Sequence, residues 1–255
     1  FSLPMFPLAV NMLFIPLLIL SVTAIIYGAY VTLMQNDMKR LIAYSSVSHM
    51  GFVTLGIFTL NQTGIEGGIL QMINHGIITG ALFLCIGMIY ERTHTRMIED
   101  YGGLSKTVPV FMIFFTIFTL AAIGFPGLNA FVGEFLIISG AFKANMIIAA
   151  LSIIGIILGT FYMVWLYYRI GLNEINSNIK EKLYDLELRE IITLMPLVTL
   201  IFLIGLQPEV LLSYMHVSVE NLLEQVHISQ TFENFNMYDL VDTIIQNFNK
   251  YILNG

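Results

Sequence analysis

Charged side chains are scarce in this sequence. Asp, Glu, Lys and Arg make up 11% of its 255 residues, where a soluble domain carries roughly 25%. That excludes an ordinary water-soluble globule. Cysteine occurs once, as Cys85 inside an apolar run, so there is no disulfide framework, and the residue reads as a small buried hydrophobe. Five scattered histidines and that one cysteine give no metal-ligand spacing. P-loop, dinucleotide fingerprint, zinc motif and catalytic triad are all missing. Neither a cofactor nor a metal is therefore expected on the chain, and nucleic acid is not expected among its partners. An initiating methionine is also missing. Phe1-Ser-Leu-Pro-Met-Phe-Pro7 has no basic n-region and no small-residue cleavage site, so it is not a signal peptide. Its two prolines stop helices. The segment reads as the end of an earlier helix entering a turn, as in the later part of something longer.

What is abundant is apolar sequence: 57% of residues are hydrophobic and the mean hydropathy is +0.81. Several runs exceed the roughly 20 residues that cross a bilayer. The expected fold is all-α, a polytopic transmembrane helix bundle of about six spans with one broken helix. Residues 1–215 form the membrane part. Its spans fall at about 8–34, with Pro16 as a kink, then 38–60, 67–90, 108–142 (broken, with halves near 108–123 and 129–142), 145–168, and 190–206 around Pro196. Asn36 or Asp37 can cap the second span. Residues 61–66 read as a loop, and the sequon Asn61-Gln62-Thr63 within it as accidental. Residues 216–255 form an extramembrane tail. There Met237, Leu240, Val241, Ile244, Ile245, Phe248 and Ile252 recur at steps of three and four, an amphipathic face suited to a partner protein. Six spans put loops 35–40, 91–107 and 169–189 on one side. That side holds Lys39, Arg40, Arg92, Arg96, Lys106, Arg169, Lys180, Lys182 and Arg189; Lys143 lies opposite and Lys250 in the tail. Positive loops stay on the side that does not cross, so this side is expected to be cytoplasm or its equivalent, the mitochondrial matrix.

Three features carry chemistry. The first is Gly124-Phe-Pro-Gly-Leu-Asn-Ala-Phe-Val-Gly-Glu-Phe135. Pro126 breaks a helix, and Gly124, Gly127 and Gly133 loosen the backbone around it. Glu134 follows, a carboxylate deep in an apolar segment. Such groups are costly in hydrocarbon and mark ion or proton pathways, and broken helices serve transporters at their binding sites. A loop with an interfacial Glu is the plainer alternative. The second is Asp37-Met-Lys-Arg-Leu-Ile-Ala-Tyr-Ser-Ser-Val-Ser-His-Met50. Lys39 and Ser46 are seven apart and share a helix face, while Tyr44, Ser45, Ser48 and His49 add hydroxyls and an imidazole. Such a stripe could carry hydrogen-bonded water. Alternatively, Lys39 snorkels to the interface and the serines bond between helices. The third is His75, with Thr79 one turn on. It is either a relay titrating in the physiological range or a satisfied structural residue. Together Lys39, His75 and Glu134 could form an axis of ionisable groups linked by water.

These segments, with Gln71-Met-Ile-Asn-His-Gly76, Glu91-Arg-Thr-His-Thr-Arg96 and Tyr101-Gly-Gly103, resemble the antiporter-like membrane-arm subunits of respiratory complex I, NADH:ubiquinone oxidoreductase. Among these they are most similar to subunit 4, in its C-terminal half and in mitochondrial versions. Glu134 separates it from subunit 5, which has lysine there. The resemblance runs from Phe1 to about Val217. It implies the second of two inverted five-helix repeats plus one extra span, moving protons along Lys39, His75 and Glu134 as quinone is reduced elsewhere. NADH, FMN, iron–sulfur clusters and ubiquinone would be bound by other subunits. Implied partners are antiporter-like subunits 2 and 5, the chain or segment carrying the N-terminal half of subunit 4, and membrane lipid. The implied location is the mitochondrial inner membrane, with a bacterial plasma membrane as the alternative. A subunit of a multi-subunit cation/proton antiporter, or a non-pumping structural half, are the other functional readings.

Overall fold

A computed structural model describes residues 2–174 and 183–226, and every long element in them is helical. Two short helices, α1 (Ser2–Met5) and α2 (Pro7–Met12), lead into α3 (Phe14–Leu33). Then come α4 (Met38–Phe58), α5 (Gln62–Thr93), a 3-10 turn Ile98–Asp100 and the single turn α6 (Leu104–Thr107). The broken pair α7 (Pro109–Ala122) and α8 (Asn129–Ala144) follows, then α9 (Met146–Tyr167), which ends in a π-turn Tyr168–Leu172. Helix α10 (Leu188–Leu206) is followed by α11 over residues 209–226. Among the described residues five helices, α3, α4, α5, α9 with its π-turn, and α10, are long and apolar enough to cross a membrane; α7 is a shorter apolar helix. The expected tail helix at 237–252 lies outside the described residues.

Local chemistry sets the helix ends. Asp37 caps α4, accepting from the Lys39 and Arg40 N–H groups at 2.8 and 3.1 Å, which satisfies donors that have no partner in the first turn. Asn145 does the same for α9. Pro109 opens α7 at a position where its missing N–H costs nothing. Two ends differ from the sequence reading. The chain breaks at Leu13, three residues before Pro16, not at Pro16 itself. A proline obstructs the carbonyl four residues earlier, here Met12, so the first span divides into α2 and α3. Residues 62–66 open helix α5 and are not a loop. Asn61 caps α5 by accepting from the Gly64 N–H at 3.0 Å, and the turn collapses onto Leu60 at φ 52°. The Asn61 amide also donates to the Gly140 carbonyl at 2.9 Å. Helix α11 runs unbroken through residue 215, across the expected division between membrane part and tail.

Small residues let these helices approach. Gly28 lies against the Ser48 backbone, and Gly51 against Ile25 and the Ser21 carbonyl, so α3 and α4 pack tightly, with the Ser48 hydroxyl donating to the Ile25 carbonyl at 2.8 Å. Gly67 meets Ile137, and Gly64 meets Gly140, between α5 and α8. Close backbone approach of this kind replaces the hydrophobic drive that lipid cannot supply. One core forms around α5 and α7, a second where α3, α4, α8 and α9 meet, and a third where α11 covers α2 and the start of α5. Tyr27, Tyr30, Ile157, Phe161 and other large apolar side chains stay exposed on the flanks.

Among the described residues the positively charged connections gather at one end. Asp37 pairs with Met97 in an isolated antiparallel bridge, and the Arg96 guanidinium lies 3.5 Å from Asp37. The Ser105 hydroxyl donates to the Gly171 carbonyl at 2.8 Å. Arg92 reaches Glu190 of α10. Lys143 stands at the other end, donating to Thr63 at 2.9 Å. The two ends therefore differ in charge as the loop count anticipated.

Candidate functional site

The break between α7 and α8 is built from backbone chemistry. The Phe125 N–H bonds the Leu120 carbonyl and the Gly124 N–H bonds that of Ala121, the paired 6→1 and 5→2 bonds of a Schellman stop. That stop needs a left-handed residue, and Gly124 supplies it at φ +69°. Gly127, at φ +94°, turns the chain again before α8 begins. Helix α10 covers the break: a Cβ on Gly205 would run into the Gly127 carbonyl and the Leu128 backbone. Irregular backbone at membrane depth survives only under such cover.

Glu134 lies in the second turn of α8, 6% exposed. Its Oε1 accepts from Gln71 Nε2 at 3.3 Å and lies 3.7 Å from His49 Nδ1. Its Oε2 faces Gly124, where a Cβ would sit 2.5 Å away. The missing side chain at Gly124 thus makes both the turn and the room for the carboxylate. The other face of His49 meets the buried Tyr162 hydroxyl at 3.2 Å from Nε2. The His49 and His75 rings have centroids 5.4 Å apart, and the Thr79 hydroxyl lies 3.2 Å from His75 Nδ1. Two cavities of about 10 Å³ flank His49, each with room for about one water. One is lined by Glu134, Ser48 and Tyr162. The other is lined by His75, Thr79, Ser45 and Gln71. His49 lines both. Its imidazole stands between the other two in a row of titratable groups running His75, His49, Glu134.

The chain has known relatives. The transmembrane family described as NADH:quinone oxidoreductase/Mrp antiporter matches residues 1–159. The chain belongs to that family. It is 48% identical over 225 residues, 88% of its length, to NADH-ubiquinone oxidoreductase chain 4 of Marchantia polymorpha, covering 45% of that protein. It is 45% identical over 227 residues, 89% of its length, to NADH-quinone oxidoreductase subunit M of Rhodobacter capsulatus, covering 44% of it. Respiratory complex I from Thermus thermophilus with bound NADH contains a chain that superimposes with a TM-score of 0.84 at 33% identity, over 89% of this chain and 48% of that one. The chain spans just under half the length of these relatives.

Within this family member, the structure sorts the residues singled out in the sequence. Glu134, His49, His75, Ser45 and Thr79 come together, as do Gly124, Gly127 and Pro126 at the break. Lys39 does not join them. It is exposed, ten residues before His49 on the same helix, about 15 Å along its axis. There it lines a separate cavity of about 390 Å³ with Phe83, Ile86, Gly87, Tyr90 and Arg96. Ser46 shares the Lys39 face but turns its hydroxyl back to the Ile42 carbonyl at 3.3 Å, and Tyr44 is exposed. Gly133 is an ordinary helical residue; its role is space, since a Cβ there would meet Gln71 and Asn74. Sequence reasoning missed Gln71, Asn74, Asn129 and Tyr162, all fully buried. Gln71 and Asn74 stand one turn apart on an otherwise apolar face, which is the signal that could have found them.

Proposed function

We propose that this chain is the second half of a proton-translocating membrane subunit of an NADH:ubiquinone oxidoreductase, with Glu134 as the group that takes up and releases the proton. The observation that carries this reading is His49, which lines both cavities and stands beside the buried Glu134 carboxylate. Protons move along His75, His49 and Glu134, each step within reach of one water. Lys39 acts from a distance, as a charge at the end of the path where the basic loops gather. That end faces the mitochondrial matrix, and the membrane is the mitochondrial inner membrane. Redox chemistry with NADH, FMN, iron–sulfur clusters and ubiquinone belongs to other subunits, and antiporter-like subunits 2 and 5 are neighbours. Identities of 45–48% to proteins named for NADH oxidoreduction support this reading over a cation/proton antiporter.

Helices equivalent to the other half of the relatives complete the subunit. The face of α5 bearing Gly76, Gly80 and Gly87 meets no described atom within 4 Å at any of these glycines, and the polar path behind it needs cover. We place those helices there.

The test is Glu134→Gln in the assembled complex in vesicles. The swap is nearly isosteric and carries no transferable proton. Quinone-coupled proton uptake should collapse while assembly survives. Normal pumping from that variant would end the assignment.

A further inference from the structure

Gln71 is buried to 1% exposure, and only one end of its amide is satisfied. Nε2 donates to Glu134 Oε1 at 3.3 Å. Oε1 has no hydrogen-bond partner among the described residues. That oxygen occupies the space left by the missing side chain of Gly133, and the residue lines the small cavity shared by His49 and His75. A buried acceptor without a partner is uncommon and points to a guest that donates to it. The cavity has the size of one water, and its lining includes Ser45, His49, Gln71, His75 and Thr79, polar residues from which a buried water can draw the two to four partners it needs.

We infer that Gln71 is a positioning residue for proton transfer, holding a water between His75 and His49 through Oε1 while fixing the Glu134 carboxylate through Nε2. The inference rests on the reading of Glu134 as the proton carrier. An amide suits both duties because it offers a donor and an acceptor and takes no proton itself. The water donates one hydrogen to Gln71 Oε1, which leaves its lone pairs toward His75 and its second hydrogen toward His49. A proton leaving a His75 nitrogen joins the water oxygen, and the water gives a hydrogen to His49. His49 in turn gives a proton to Glu134 Oε1. Starting from a protonated His75 and an ionised Glu134, one N–H bond breaks at His75 and one O–H bond forms at Glu134; the water keeps two hydrogens, and His49 regains its charge as the other tautomer when the proton enters at Nε2 and leaves from Nδ1.

The experiment uses the assembled complex in vesicles, with proton uptake per quinone reduced measured beside infrared difference spectra. The Glu134 carboxyl band is identified by its loss in Glu134→Gln. Gln71→Met keeps the shape and removes both polar ends. Losing a hydrogen bond to a charged group slows transfer about tenfold or more, and the Glu134 band moves to higher frequency. Gln71→Asn keeps the amide but shortens its reach. It gives an intermediate loss and a smaller shift, and it remains informative if the methionine variant fails to assemble. Normal uptake with an unshifted band in either assembled variant overturns the inference. If Glu134→Gln is inactive in that same experiment, the reading of Glu134 stands without Gln71. If Glu134→Gln pumps normally, that reading falls and takes the inference with it.

Discussion

Replacing Arg92 by Ala should be among the most damaging single changes outside the proposed proton path. The Arg92 side chain is 2% exposed and pairs with Glu190. Its Nη1 donates to Glu190 Oε1 at 3.0 Å and to the Met88 carbonyl at 2.6 Å. Nη2 donates to Glu190 Oε2 at 2.6 Å and to the Asp185 carbonyl at 3.3 Å, and Nε to the Tyr184 carbonyl at 2.9 Å. The guanidinium also stacks 4.2 Å from the Tyr184 ring centroid. Removing one partner of a buried pair costs about 3–5 kcal/mol, because the other charge stays buried. For a chain of this size that corresponds to a fall of roughly 10 °C in unfolding temperature. Glu190 does not escape to water, since it also accepts from the Glu187 N–H at 2.8 Å in the capping box of α10. The double replacement Arg92→Met with Glu190→Leu should recover part of the loss. It removes both charges, but the Tyr184 and Asp185 carbonyls still lose their donor. Cys85 provides the assay: it is the one cysteine and fully buried, so a thiol-reactive dye reports opening of this chain on heating. An unchanged labelling temperature in Arg92→Ala, or a double variant less stable than the single one, refutes the argument.

Gly124→Ala forces a side chain into a left-handed conformation, costing about 1–2 kcal/mol, and pushes on Glu134 Oε2; proton uptake should fall further than labelling temperature does. Comparable losses in both would mean that the glycine serves the turn alone. His49→Phe should stop uptake while Lys39→Met lowers it only severalfold, measured per assembled complex; the reverse order would restore Lys39 to the centre of the path. Modification of residues 91–107 by a membrane-impermeant reagent should come from the matrix side, and labelling only from the opposite side overturns the orientation. Deleting residues 230–255 should weaken assembly before it lowers turnover per assembled complex; the opposite order assigns the tail a catalytic part.

The break was legible because its signals are local. Gly124, Pro126 and Gly127 punctuate an apolar run, and a carboxylate ten residues beyond Gly124 needs no neighbour to attract notice. Helix ends marked by Asp37, Asn145 and Pro109 were legible for the same reason. The inward face of α4 was not. Nearly every position on that helix is apolar or small, so periodicity does not tell which stripe turns to the core. The spacing of Lys39 and Ser46 therefore drew attention to one face, while Gly28 and Gly51 seat α3 so that Ser45, Ser48 and His49 point inward. Tyr162 and Gln71 act through partners on other helices more than sixty residues away, and a single sequence does not pair them.

Helix α5 runs for 32 residues without interruption, about 48 Å, well beyond the roughly 30 Å of hydrocarbon. Near one end the buried Glu66 meets His216 of α11 at 2.8 Å; near the other Arg92 is pinned to Glu190. His75 and Gln71 ride on the same rod. A beam clamped at both ends does not slide or turn by halves. Whatever displaces it at the basic end must also load the Glu66 contact about 39 Å away, and the imidazole moves in the same stroke. Stiffness is thus what this helix adds to the side chains it carries.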